Sequence, residues 1–176
     1  MGYDLQIFDD PNKMREALRE KNEINNKARM LAGYCYNWKS RDTGNPAVYD
    51  IELPGRFRAR WNFSNTDTWA IDADSFDQVG CIHTSQGLEF DYVGVIIGWD
   101  IRYESGKVIT DMRERAGTDF SLSSLKRGQD PERADKIIRN TYWTLLTRAQ
   151  KGCYIYCEDD ALREHLSQRI KECSMT

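Results

Sequence analysis

At 176 residues, 40% of them apolar and only 4 of them proline, the chain is long enough for one globular domain with its own core and too short for two. Its 25 basic and 28 acidic residues leave a formal charge of -3, which excludes the global basic field that drives non-specific nucleic-acid binding, so any such contact must be local or supplied by a partner domain. Five cysteines at uneven spacing form no C-x-x-C pair, no apolar run approaches the ~20 residues of a membrane span, and the N-terminus lacks the parts of a signal peptide, so a cytoplasmic protein with reduced thiols is expected.

In chain order, Leu5-Gln6-Ile7-Phe8 predicts a short strand, and Asp10-Pro11 predicts a helix start, with Asp10 as N-cap and Pro11 at the first helical position. Met14, Ala17 and Leu18 give that helix an apolar face. The apolar run Ala28 to Cys35 predicts the second strand of a β-α-β unit. Residues 39–77 are polar and interrupted by Gly and Pro, yet Tyr49, Phe57, Trp61, Phe63 and Trp69 argue for an ordered, β-rich insertion. Val79 to Ile82 and Val93 to Ile97 predict two further strands. A second insertion, about 99–130, opens with a β-hairpin turning at Glu104-Ser105-Gly106-Lys107; from Arg113 to Gly128 it is charged and Ser-rich, which predicts a mobile loop. Pro131 to about Thr147 reads as a helix whose stripe of Ile137, Ile138, Thr141 and Leu145 is core packing, Cys153 to Cys157 as the last strand, and Asp160 to Ile170 as a closing amphipathic helix. Strands alternating with helices predict an α/β domain with a mostly parallel sheet covered on both faces.

Two stretches carry chemistry. In His83-Thr84-Ser85-Gln86-Gly87-Leu88-Glu89-Phe90-Asp91-Tyr92 a polar turn opens into the β-branched run Val93-Gly94-Val95-Ile96-Ile97; in Thr144-Leu145-Leu146-Thr147-Arg148-Ala149 a helix ends in an arginine just before the last strand. An acidic residue and an arginine at the ends of adjacent sheet elements suit a nucleotide held between two domains, one for the ribose and one for the γ-phosphate. If the segment is extended, Glu89 faces opposite to Leu88 and Phe90, toward the ligand crevice expected at the C-terminal edge of the sheet.

The two blocks resemble motifs V and VI of superfamily-one helicases of the UvrD/Rep type. More closely, the wording from Gly80 to Gly98, with Arg139-Asn140-Thr141-Tyr142 before the arginine, resembles the uncharacterised bacterial family of Schlafen-group-three-like DNA/RNA helicase domains, from about Tyr3 to Cys157. The resemblance implies a RecA-like three-layer domain in which Gly87 and Glu89 contact ATP, Thr147 either orients the guanidinium or caps the turn, and Arg148 acts as the catalytic finger on the γ-phosphate. It also implies that His83, Thr84 and Ser85 meet single-stranded DNA or RNA. Gln86 and Cys81 replace the lysine and threonine of the UvrD pattern, which affects the nucleic-acid contact and not Gly87 or Glu89.

The chain lacks the G-x-x-x-x-G-K-[ST] loop that surrounds phosphates and any apolar strand ending in Asp-Glu for Mg2+, and no His/Cys/Asp cluster suggests a metal site of its own. The expectation is therefore the C-terminal motor domain of a longer protein, 1–176, whose N-terminal P-loop domain holds most of the ATP and Mg2+. A module that keeps the fold without turnover, binding nucleic acid or regulating, is the alternative. Trp38, Trp61 and Trp69 are read as insertion core or as stacking platforms, Lys126-Arg127 as solvated surface or phosphate contacts, and Arg139 as a structural ion pair near the cleft.

Overall fold

Two residues after the first strand, Asp10 begins the first helix. In the computed structural model, which describes residues 2–64, 66, 68–85, 87, 89–117, 119 and 130–174, β1 spans Asp4–Phe8 and α1 spans Pro11–Asn25. The Asp10 carboxylate accepts the Asn12 N–H at 2.8 Å, and Asn26 in the left-handed conformation (φ 56°) closes the helix. Then follow β2 (Ala28–Ala32), a short α2 (Lys39–Thr43), β3 (Ile51–Leu53), β4 (Phe57–Trp61), a 3-10 turn at Ala73–Asp77, β5 (Gln78–Gly80) and β6 (Phe90–Ile97). The chain continues through the hairpin β7 (Ile101–Glu104) and β8 (Lys107–Thr110), α3 (Pro131–Leu146), β9 (Ala149–Cys157) and α4 (Asp160–Ser174). The hairpin turns where the sequence predicts it, with Ser105 and Gly106 both at positive φ.

Seven strands form one sheet in the order β1-β9-β6-β2-β5-β4-β3, parallel throughout except that β3 runs antiparallel to β4 at the edge. Alternation along the central strands builds two cores. Val93, Val95 and Ile97 of β6, with Cys153, Ile155 and Cys157 of β9, pack under Ile138, Tyr142 and Leu145 of α3 and Leu162 of α4. On the other face Ile96, Tyr154 and Tyr156 lie with Met30 under Met14 and Leu18 of α1. Gly94 lets α1 come this close: a Cβ there would run into Leu18 Cδ1. This is the expected three-layer, RecA-like α/β arrangement.

Residues 39–77 are more integrated than an insertion. β4 pairs in parallel with β5 and extends the main sheet, while Asp50 accepts from the backbone N–H groups of Ser40 (2.8 Å) and Trp61 (2.7 Å). Trp61 and Trp69 are fully buried, and Trp38 stacks on Trp61 with ring centroids 5.1 Å apart, so these rings are core. The predicted mobile loop needs correction at its start. Arg115, Ala116 and Asp119 are buried, the Arg115 Nε lying 2.9 Å from Asp119 Oδ2 and 3.6 Å from Asp100 Oδ2. Burial of an ion pair holds this segment to the sheet, a tertiary effect that composition does not report. Gln86, Leu88, Lys126, Arg127 and the rest of that loop lie outside the described residues.

Asp91 supplies a pH test of how β6 is anchored. Its carboxylate accepts from Lys151 Nζ at 2.7 Å and Asn25 Nδ2 at 2.6 Å, and the Lys151 hydrogen bond above all holds it below the usual carboxylate range. A carboxyl depressed on folding contributes above its unfolded value of about 4 and loses that contribution as pH falls through the folded value. The expected result is that Asp91→Asn lowers the melting temperature by a few degrees at most at pH 7, because the lysine is largely exposed, and by progressively less as the pH falls below about 4. Thermal melts across that range check it.

Candidate functional site

Glu89 immediately precedes β6 and Arg148 immediately precedes β9, and these strands are parallel neighbours. Both residues therefore stand at the N-terminal edge of the sheet. That corrects the expected C-terminal edge: a residue before its strand sits where the strand begins, whatever face its side chain takes. The two motifs meet directly. The Phe90 N–H donates to the Arg148 carbonyl at 3.4 Å, and Gln150 Nε2 donates to Glu89 Oε2 at 2.8 Å, so a residue that sequence reading missed holds the exposed carboxylate in place. Its signal was available: Gln150 stands two residues past the arginine, on the strand beside Glu89.

Arg148 Nε donates to the Thr144 carbonyl at 3.2 Å, and among the described residues the guanidinium forms no ion pair. It remains a cation with unspent donors at the edge that also carries Glu89. Thr147 resolves its two readings toward the cap, since its hydroxyl donates to the Trp143 carbonyl at 2.8 Å and packs against the last turn of α3. Gly87 is exposed, has φ 77° and has open space where a Cβ would stand, so the left-handed backbone there requires glycine.

His83, Thr84 and Ser85 occupy a helical turn after β5, and only His83 presents its side chain to solvent. Thr84 is 8% exposed and Ser85 0%. The Thr84 hydroxyl accepts the Cys81 N–H (2.8 Å) and donates to the Cys81 carbonyl (3.0 Å); the Ser85 hydroxyl donates to the Ile82 carbonyl (3.2 Å). They shape the turn. The His83 ring meets Tyr34 edge-on at 6.0 Å. Arg139 forms the structural ion pair expected of it, with Asp135 at 2.8 Å, and also donates to the Val108 carbonyl.

A second polar group lies at the carboxyl ends of β2, β6 and β9, unforeseen in the sequence. The connection from β2 leaves toward β5 and that from β6 toward β9, so a topological switch point, where open α/β sheets usually bind ligands, falls between them. Here it is filled from within. The Tyr142 hydroxyl donates to Asp100 Oδ1 at 2.6 Å and accepts the Gly98 N–H at 3.0 Å; the Tyr36 hydroxyl donates to Glu158 Oε1 at 2.6 Å; and Arg115 packs over Tyr34. Burial pushes the Asp100 and Glu158 carboxyls up and the Cys35 thiol well up. Acidic residues just past strand ends, Asp100 three residues after β6 and Glu158 directly after β9, were the available signal.

For ATP, the amino edge offers a hydroxyl acceptor in Glu89 and a phosphate cation in Arg148, which fits a sugar and a terminal phosphate. It does not fit Mg2+, since Asp91, the next carboxylate along, is taken by Lys151 and Asn25. Fold and edge together define a three-layer RecA-like α/β domain that carries a carboxylate, Glu89, and a guanidinium, Arg148, at one sheet edge. Residues 1–159 match the Schlafen group 3, DNA/RNA helicase domain, and the chain belongs to that family. It is therefore a helicase-type domain of a nucleic-acid-related family. It is also similar to the uncharacterized protein YPL245W of Saccharomyces cerevisiae, 31% identical over 179 residues that cover 97% of this chain and 38% of the yeast protein. Such likeness is thus not confined to bacteria, and the chain spans 38% of that relative's length. No solved structure matches. Among the described residues no helix is long and apolar enough to cross a membrane.

Proposed function

We propose that the chain is the C-terminal RecA-like motor domain of a cytoplasmic, ATP-dependent DNA/RNA helicase or translocase of UvrD/Rep-like mechanism. It completes an ATP site whose phosphate loop and Mg2+ carboxylates belong to an N-terminal P-loop domain of the same longer protein. The observation that carries this reading is the placement of Glu89 and Arg148 at one sheet edge, the arginine without a carboxylate partner among the described residues. Glu89, steadied by Gln150, accepts from a ribose hydroxyl; Gly87 lets the backbone approach; Arg148 neutralises charge on the γ-phosphate as it transfers. ATP, when bound, supplies the phosphoryl group and the free energy of its hydrolysis, and domain closure about this edge passes it to the strand.

The chain alone is expected to fold cooperatively and to show no ATP turnover with or without nucleic acid, whereas joined to its P-loop domain it turns ATP over. A coupled phosphate-release assay on both forms decides. Steady turnover by the isolated chain, abolished by Arg148→Ala, overturns the half-site reading; an inert joined protein that still binds strands favours a module that keeps the fold without catalysis.

A further inference from the structure

A cleft of about 250 Å³ opens on the α3 side of the domain, between the turn after β5 and the helix. Ile82, Ile137 and the Tyr34 ring form its apolar walls, and His83, Asn140 and Thr144 bring polar groups to it. The hydrogen-bond status of these residues divides sharply. Thr141, also on the lining, donates its hydroxyl to the Ile137 carbonyl, and the Tyr34 hydroxyl is directed to Cys81 Sγ. By contrast the His83 ring, the Asn140 amide and the Thr144 hydroxyl form no hydrogen bond to any described residue. Three unspent donor-acceptor groups converging between apolar walls are the make-up of a small-ligand pocket.

The surroundings narrow the ligand. On α3, one turn beyond Asn140, Trp143 is 70% exposed, although an indole of that size is usually covered. One turn before Asn140, Lys136 is exposed and forms no ion pair among the described residues. A planar amide with two donors and an acceptor, an aromatic wall, a second exposed aromatic one turn away and a lysine one turn before match one chemistry: an unpaired nucleobase, its flanking base and an intervening phosphate.

We infer that this cleft seats one base of a single-stranded nucleic acid, with Asn140 and Thr144 on its polar edge, the neighbouring base stacked on Trp143 and the backbone phosphate near Lys136. The inference deepens the reading above and rests on it for the identity of the strand. It also gives the strand a short path to the nucleotide edge: Thr144 lines the cleft while its carbonyl accepts from Arg148 Nε. With a net charge of -3 and Lys136 as the cation nearest the cleft mouth on this helix turn, binding by the chain alone is weak and falls further as salt rises.

The test is a titration of the ¹⁵N-labelled chain with a mixed-sequence eight-nucleotide single strand, as DNA and as RNA, with the same strand made abasic, and with ATP. At least one octamer is expected to shift the amides of residues 82–83 and 136–147, and Asn140→Ala and Trp143→Ala each to weaken it at least about fivefold with unchanged melting temperatures. Should an alanine variant melt early, the isosteric Asn140→Asp replaces it and is expected to weaken binding as much. The proposal is overturned if neither octamer binds, if shifts map elsewhere or ignore both variants, or if the abasic strand binds equally well. It is also overturned if ATP occupies the cleft at lower concentration than the octamers, which assigns the base to a free nucleotide. Octamer binding that ignores Asn140 and Trp143 removes only the cleft, while the turnover assay on the joined protein tests the motor reading separately.

Discussion

Arg148→Ala in the two-domain protein is expected to lower ATP turnover roughly 10³-fold or more while leaving ATP binding nearly intact. The guanidinium has its Nε on the Thr144 carbonyl and forms no ion pair among the described residues, so what the substitution removes is a charge that no described carboxylate offsets. A factor of 10³ corresponds to about 4 kcal/mol of transition-state stabilisation, a magnitude reached by a cation that acts as charge develops. Lysine should rescue little, because it lacks the planar fork. Glu89→Ala should act differently, chiefly weakening nucleotide binding, since a ribose contact is made equally in ground and transition states. Neither change should move the stability of the chain by more than about 0.5 kcal/mol, as both side chains stand at an open edge. Single-turnover and equilibrium-binding measurements separate the two effects. If Arg148→Ala unfolds the chain and spares turnover, the arginine is structural and the proposed site is wrong.

Arg115→Leu is expected to be the most damaging single change to the fold outside the apolar core. The arginine, Asp100 and Asp119 side chains are at most 2% exposed, and the guanidinium also covers the Tyr34 ring. Removing the cation takes away the guanidinium that both buried carboxylates face, a loss of about 3–5 kcal/mol. The urea midpoint should fall by roughly 1–2 M at unchanged slope. A shift below about 0.3 M would mean that residues 115–119 do not belong to the cooperative unit.

The β-α-β opening, the hairpin, the helix α3 and the parallel sheet were legible in the chain itself, because caps, turn residues and apolar periodicity are local. Asp10 with Pro11, Ser105 with Gly106, and the stripe ending at Leu145 each act within one turn or one strand. Glu89 and Arg148 were legible as residue types in motifs, but not the edge they share, their link through Gln150, or the commitment of Thr84, Ser85 and Thr147 to neighbouring carbonyls. Only the tertiary structure decided those matters, and it alone drew Arg115 and Asp119 out of a loop-like stretch and filled the switch point with Tyr142 and Asp100. The physical reason is range: capping and periodicity depend on groups a few residues apart, whereas burial of a charge or the spending of a hydroxyl depends on partners brought together by strand order, which no local pattern encodes.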